Sequence, residues 1–428
     1  MEVLKNNKIL IPEEWPGAHY YGEEEIEAVS RVAMKASPFR FYGLDPQREA
    51  DQFEQEFAAY IGVAHCLGVS SGTAALQVAL AAMGIGPGDE VLIPGYMWVS
   101  IISAVVRNGA IPALVDVDDS FSMDPEDLRK KITGRSKAVI MVHMGGVIGK
   151  VSEVAEICRA HHLMFLEDCA QAAGATQFGK KAGTFGDMAI FSFQLNKNMT
   201  AGEGGAIVTN SRDLYNKAFA IHDLGYARNE KGKLDFENPD SQRWGIGCRM
   251  SEFTAAVMRV QLKKLDTIIH SMRDFKMELI QILSRYEGAE PRRVADPEGD
   301  SGGFLKIRFA DRATSLQFKE GLLANGIQVK EEALYPIHMT EWGLHIYSNN
   351  ASLVNKRSIC GHHSVWELKE NEWARENGYE PGTLPNLDSY VQRTVIFCVA
   401  SRLTGSQKTI IRDAFERTCD QLKLKKVI

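Results

Sequence analysis

The sequence predicts an α/β protein: a large domain on a mostly parallel sheet with helices on both faces, then a smaller C-terminal α+β domain. Three observations carry this. From about residue 20 to 210 helix-like segments alternate with strand-like ones, the strand-like ones are short, unbroken apolar runs, and beyond residue 250 the alternation gives way to one or two long charged helices followed by sparser strands. Strands covered on both faces read as continuous apolar runs rather than alternating ones, and strand–helix alternation builds parallel sheets.

The elements follow in order. A helix opens near Gly22, where Glu23, Glu24 and Glu25 suit the positive end of a helix dipole. Val91–Pro94, Ala113–Val117, Ala138–His143, Met164–Leu166, Met188–Phe193 and Ala206–Thr209 read as buried strands, with helices such as Thr73–Met83 and Val151–His162 between them. Met250 to Tyr286 reads as one or two long helices that bridge to the second domain. There, Leu305–Ala310 and Thr394–Val399 are strand-like, and helices are expected at Ser315–Leu323 and from Ser406. This gives a large domain over residues 1–264 and a small one over 265–428, the latter carrying a long lid-like insertion at about 339–383. That stretch is irregular and rich in Trp, His, Asn and Gly; a loop so long in a compact enzyme is a lid, a binding loop or disordered.

Composition narrows the function. Of 428 residues, 45% are hydrophobic and 24% charged, which is ordinary for a globular protein and excludes a disordered chain. The net charge is −6 with no basic block, so nucleic acid is not an expected partner. No run approaches the ~18 apolar residues of a membrane span. The first residues, MEVLKNNKILIPEEWPG, lack the apolar core of a secretory signal, so a cytoplasmic location is expected. Seven scattered cysteines without a C-x-x-C pair fit reduced thiols, and no metal site is expected.

Three segments could carry chemistry. In Val69-Ser70-Ser71-Gly72-Thr73-Ala74, small residues lead from a strand into a helix whose free amides could hold a phosphate; the same residues make an ordinary N-cap. In Phe165-Leu166-Glu167-Asp168-Cys169-Ala170-Gln171, acids end a buried strand, where they need a partner. A protonated pyridine nitrogen would serve Asp168; a helix cap or buried arginine would serve as well. In Phe191-Ser192-Phe193-Gln194-Leu195-Asn196-Lys197, a lysine follows a strand and precedes the Gly-rich turn Gly202-Glu203-Gly204-Gly205. A lysine near buried surface is a competent amine nucleophile, although most lysines are simply exposed. Each fragment is ambiguous, but their joint order supplies what pyridoxal phosphate (PLP) requires: a phosphate anchor, an electronic partner and a covalent tether. A nucleotide-binding oxidoreductase would share the alternating elements, but no G-x-G-x-x-G follows the first strand.

The segments SSGTAAL, EDCAQAAGA, GTFGDMAIFSF and LNKNMTAGEGG, in this order and spacing, resemble the DegT/DnrJ/StrS family of sugar aminotransferases, which has the fold-type-I PLP architecture. The resemblance runs from Phe53-Glu54 to at least His338 and implies PLP as cofactor and a homodimer. It also implies that Lys197 tethers the cofactor and moves protons, that Asp168 pairs with the pyridine nitrogen and that Gln171 lies near the phenolic oxygen. Gly72, Thr73 and Ser192 would then bind the phosphate and Trp98 stack on the ring. A core tryptophan is the plain alternative for Trp98. Tyr335 and His338 are candidate substrate residues. The implied reaction takes an amino group from L-glutamate or L-glutamine to a keto-sugar. That acceptor is either a nucleotide-linked keto-deoxysugar or a free one, such as an inosose or 8-oxo-3,8-dideoxy-octulosonate. The product would serve surface polysaccharide or a secondary metabolite. A PLP-binding regulator without turnover is the reading from another class; the intact Lys197, Asp168 and Gln171 argue against it.

Two departures stand out. Gly247, in Gly245-Ile246-Gly247-Cys248-Arg249-Met250-Ser251, replaces an Asn that in the family reaches the neighbouring subunit's phosphate. The stretch from Tyr335-Pro336-Ile337-His338 to Leu384-Pro385 is longer than is typical. Its Trp342, His345, His362, His363 and Trp366 would either reshape the acceptor pocket or form a surface insertion.

Overall fold

The computed structural model describes residues 9–10, 12–229, 232–237, 242–328, 336–361 and 363–426. The large domain contains helices α1 (Glu23–Met34), α2 (Glu49–Ile61), α3 (Gly72–Ala82), α4 (Ser100–Arg107), α5 (Pro125–Lys131), α6 (Val151–Ala160) and α7 (Arg212–His222). Its strands are β1 (His65–Val69), β2 (Glu90–Pro94), β3 (Ile111–Val115), β4 (Ser136–Val142), β5 (Met164–Asp168), β6 (Met188–Ser192) and β7 (Gly205–Thr209). They form a seven-stranded sheet in the order β1-β7-β6-β5-β4-β2-β3. All pairings are parallel except those of β7, which runs antiparallel to β1 and β6. No helix separates β6 from β7, so the chain turns back on itself and can only pair antiparallel.

Alternation across the pleat decides which side chain faces which helix layer. Ile140, Leu166 and Ile190 join one core with α3 and α4, while Val139, Phe165 and Phe191 join another with α2 and α6. Both faces are therefore covered, which is why these strands read as unbroken apolar runs.

Helix α8 (Glu252–Leu283) is a single helix, started by Ser251 Oγ accepting from the Thr254 amide at 3.1 Å. It runs straight through the expected boundary at 264/265. Met258 and Leu265 pack in the large-domain core; Met272, Phe275 and Leu279 pack in a third core. That core belongs to the small domain: β8 (Glu290–Pro291), β9 (Phe304–Arg308), α9 (Arg312–Ala324), β10 (Ile337–His338), β11 (Thr394–Cys398) and the C-terminal helix Gly405–Gln421. Its four-stranded antiparallel sheet has the order β8-β9-β11-β10.

Residues 339–383 differ from the expected lid-like insertion of the small domain. Their described residues form 3-10 turns and one short helix, Ala351–Val354. Trp342, Tyr347, Leu353, Trp366 and Tyr379 are buried in the same core as β2, α3 and α4. Asn371 accepts from the Gly88 amide at 2.7 Å and donates to the Gly109 carbonyl at 2.9 Å, and the Tyr379 hydroxyl donates to the Pro112 carbonyl at 2.8 Å. Each large side chain so buried contributes about 1.5–3 kcal/mol, so the segment is fixed to the large domain rather than free to open.

Candidate active site

The carboxyl ends of β5 and β6, the start of α3 and the loop 193–204 enclose a cavity of about 600 Å3. Gly72, Thr73, Trp98, Asp168, Gln171, Ser192 and Lys197 all line it. The sheet brings together residues that lie up to 125 positions apart, because β1, β5 and β6 run parallel and point their ends the same way.

The loop carrying Lys197 is held at several points. The Lys197 amide donates to the Gln194 carbonyl at 3.0 Å, and its carbonyl accepts from Gly17 at 3.1 Å. Thr200 Oγ1 donates to the Phe193 carbonyl at 3.0 Å. Burial pulls the Lys197 amine down to about 8, against the opposing pull of Asp168. The amine is therefore partly neutral near neutral pH and able to act as a nucleophile.

Asp168 is buried, with 4% of its surface exposed. Burial raises its carboxyl, while the Ala170 amide, Lys197 and His143 pull it back. Of its two oxygens, Oδ1 accepts from Ala170 at 2.9 Å. A buried carboxylate with acceptor capacity left over needs a cationic or N–H partner. Gln171 Oε1 accepts from the Gly145 amide at 2.8 Å, which fixes the amide orientation and leaves its NH2 group as a donor for the cavity.

Ser71 caps α3 by accepting from Ala74 at 3.1 Å. Among the described residues the Gly72 and Thr73 amides meet no protein acceptor, as expected of a helix start able to hold an anion. A Cβ on Gly72 would lie 2.8 Å from Ser192 Cβ, so the cradle tolerates only glycine there. A partly neutral amine, a buried carboxylate, an amide donor and a helix start with open N–H groups thus line one cavity, and these residues fit PLP.

Other expected residues fall elsewhere. His338 is fully buried, 3.0 Å from Ser315 Oγ and 2.7 Å from Thr340 Oγ1, and does not line the cavity. Its ring is spent on holding β10 to α9. Tyr335 and His362 lie outside the described residues. Arg249 pairs with Asp223 at 2.6 Å on the same chain, and Gly247, at φ +66°, takes a backbone form that an Asn would adopt less readily. Of the long segment, Trp342 and His345 reach the cavity, Trp366 packs in the core and His363 is exposed. Glu14, from the N-terminal segment, also lines the cavity, and no sequence motif announced it. A buried trio, His143, Glu167 and Cys169, has the donor types of a metal site. Glu167 already accepts from His143 at 2.9 Å and from the amides of Gly183, Phe185 and Gly186 at 2.9, 2.6 and 2.8 Å, which makes it a structural hub.

Fold and site together define a fold-type-I PLP enzyme. The pattern of the DegT/DnrJ/EryC1/StrS aminotransferase family matches residues 21–363, and the chain belongs to that family. It is 35% identical over 286 residues to the L-glutamine:2-deoxy-scyllo-inosose aminotransferase of Streptoalloteichus tenebrarius, covering 66% of each chain. It is 41% identical over 220 residues to the GDP-perosamine synthase of Caulobacter vibrioides, covering 50% of this chain and 56% of that one. The matched stretches thus span two-thirds or less of these relatives. The crystal structure of 3-amino-5-hydroxybenzoic acid synthase superposes with a TM-score of 0.74 at 27% identity, covering 97% of this chain and 99% of that one.

Proposed function

We propose that this aminotransferase carries an amino group from L-glutamate or L-glutamine to the keto or aldehyde carbon of a sugar-like acceptor, in amino-sugar biosynthesis. The observation that carries the reading is that Lys197, partly neutral at working pH, lines the same cavity as the buried carboxyl of Asp168, and each feels the other's charge. PLP, when bound, supplies a carbonyl that exchanges amine partners and an electron-withdrawing ring. Asp168 would hold the proton on the ring nitrogen. Gln171 would donate to the phenolic oxygen, Trp98 stack on the ring, and Gly72, Thr73 and Ser192 bind the phosphate. Lys197 would tether the cofactor, then take and return the proton of each substrate in turn. Donor and acceptor would use one cavity in succession, which requires ping-pong kinetics.

The relatives act on a cyclitol ketone in one case and are named for a GDP-linked sugar in the other, so both acceptor classes support the general reading. A homodimer in the cytoplasm fits the resemblance, and it fits Leu224, Trp244 and Ile246, which are exposed apolar side chains on two adjacent stretches. No helix among the described residues is long and apolar enough to cross a membrane.

The test is spectroscopic. The purified protein, reconstituted with PLP, should show the violet band of lysine-bound cofactor and lose it on addition of L-glutamate or L-glutamine, with Lys197→Ala showing no such band. A wild-type band that no amino acid alters would favour a PLP-binding regulator instead.

A further inference from the structure

We propose that His345 is a specificity-determining residue that accepts a hydrogen bond, through Nε2, from a hydroxyl of a cyclic polyhydroxy ketone in the acceptor half of the reaction. The inference rests on the aminotransferase reading above and adds to it the class of acceptor and the group that reads it.

The geometry fixes the state of the ring. His345 Nδ1 lies 3.0 Å from the Trp342 carbonyl oxygen. A carbonyl only accepts, so Nδ1 carries the proton and donates. Burial, with Lys197 and Lys306 adding to it, holds the imidazole down to about 4, so at neutral pH it is uncharged. Nε2 then carries a lone pair, makes no hydrogen bond to protein among the described residues, and belongs to a side chain that lines the cavity. A neutral imidazole with its free lone pair in a cavity is a hydroxyl acceptor.

The ring cannot turn away. It stacks on Trp342 at 4.2 Å between centroids with 15° between planes, and lies against Trp98 at 4.7 Å. Its own backbone is bolted to the loop that carries Trp98. The Met97 amide donates to the His345 carbonyl at 3.0 Å, the Tyr347 amide donates to the Gly95 carbonyl at 3.0 Å, and Tyr96 bridges Ile346. The long segment, which packs into the large-domain core, therefore fixes His345 relative to the position where the cofactor ring would stack.

The rest of the lining agrees with a polyol. Trp342 and Phe304 also line the cavity and add apolar surface for the C–H side of a sugar ring. Lys197 is the single lysine or arginine among the described lining residues, against Glu14, Asp168, Glu203 and Glu341. Carboxylates and a neutral imidazole suit hydroxyl donors; among the described lining residues phosphate groups would find no cation besides Lys197.

The experiment uses PLP holoenzyme converted to its pyridoxamine form by L-glutamate or L-glutamine. Recovery of the violet band is followed by stopped flow with 2-oxoglutarate, which has no hydroxyl group on its carbons, and with scyllo-inosose, a cyclic polyhydroxy ketone. Two variants are compared with wild type: His345→Phe keeps a stacking ring without an acceptor, and His345→Gln places an amide oxygen at similar reach. The expectation is that H345F recovers with 2-oxoglutarate at about the wild-type rate but loses roughly 10- to 100-fold in kcat/KM with scyllo-inosose, as for loss of one buried hydrogen bond to substrate, and that H345Q regains part of this loss. Equal slowing of H345F with both acceptors would assign His345 a structural role and overturn the proposal. So would a wild-type enzyme that recovers with 2-oxoglutarate but not with scyllo-inosose, because the acceptor would then not be of this class. A wild-type band unmoved by either amino acid would instead remove the aminotransferase reading, and the inference with it.

Discussion

Lys197 and His345 are both bases held below their usual range by burial, and both bear on pH dependence. For Lys197 the neutral amine is the nucleophile. The rate at which apo-protein captures PLP should therefore rise with pH through about 8 and level off above it, as read by growth of the violet band. A rate that kept climbing well above pH 8 without levelling would show the amine to be unperturbed. For His345 the consequence is for stability. Its pKa is about 4 when folded and about 6.5 when unfolded, so between these values the unfolded chain binds the extra proton. The contribution is fully present above pH 6.5 and is lost as pH falls towards 4. His222, held at about 3 by burial and Arg40, acts in the same direction. A scan of Tm against pH should show H345F losing less stability than wild type across that window.

At the scale of elements, the start of α3 and the long segment make separable predictions. In the phosphate cradle, Gly72→Ala would drive a Cβ to 2.8 Å from Ser192 Cβ. PLP affinity should fall by about tenfold or more, since helix-start amides must approach the phosphate closely, while the apo-protein keeps a near-native circular dichroism spectrum. Titration of apo-protein with PLP measures this. In the segment, Asn371 is fully buried and serves Gly88, Gly109 and Val365 at once. Asn371→Ala should cost about 1–3 kcal/mol per orphaned group and expose the segment to limited proteolysis. Unchanged protection would mean that apolar burial alone holds it.

Across the whole molecule, the proposed dimer can be tested at exposed apolar surface. Trp244 is 95% exposed and Ile246 51%, beside Leu224 at 52%. The Arg243 amide donates to the Gly225 carbonyl and the Ile246 amide to the Ile221 carbonyl, which ties these stretches side by side. A dimer that buries them should be seen by light scattering, and Trp244→Glu should shift it towards monomer. A wild-type monomer at micromolar concentration would count against the dimer.

The α/β class, the strands and the candidate lysine at the cavity were legible in the sequence for a physical reason. Strands buried on both faces need unbroken apolar runs, and Gly72, Asp168 and Lys197 sit in short local patterns dictated by turn, strand end and loop. The tertiary structure alone decided three further matters. It carried α8 unbroken past residue 264, since its apolar stripe serves two cores in turn. It drew residues 339–383 into the large-domain core, because Trp342, Tyr347 and Trp366 lack the periodicity that would have revealed a buried face. And it separated His338 from His345: both are histidines of the same stretch, but one is consumed by Ser315 and Thr340, while the other keeps a free Nε2 at the cavity. Partners of this kind come from elements distant along the chain, and only packing brings them within reach.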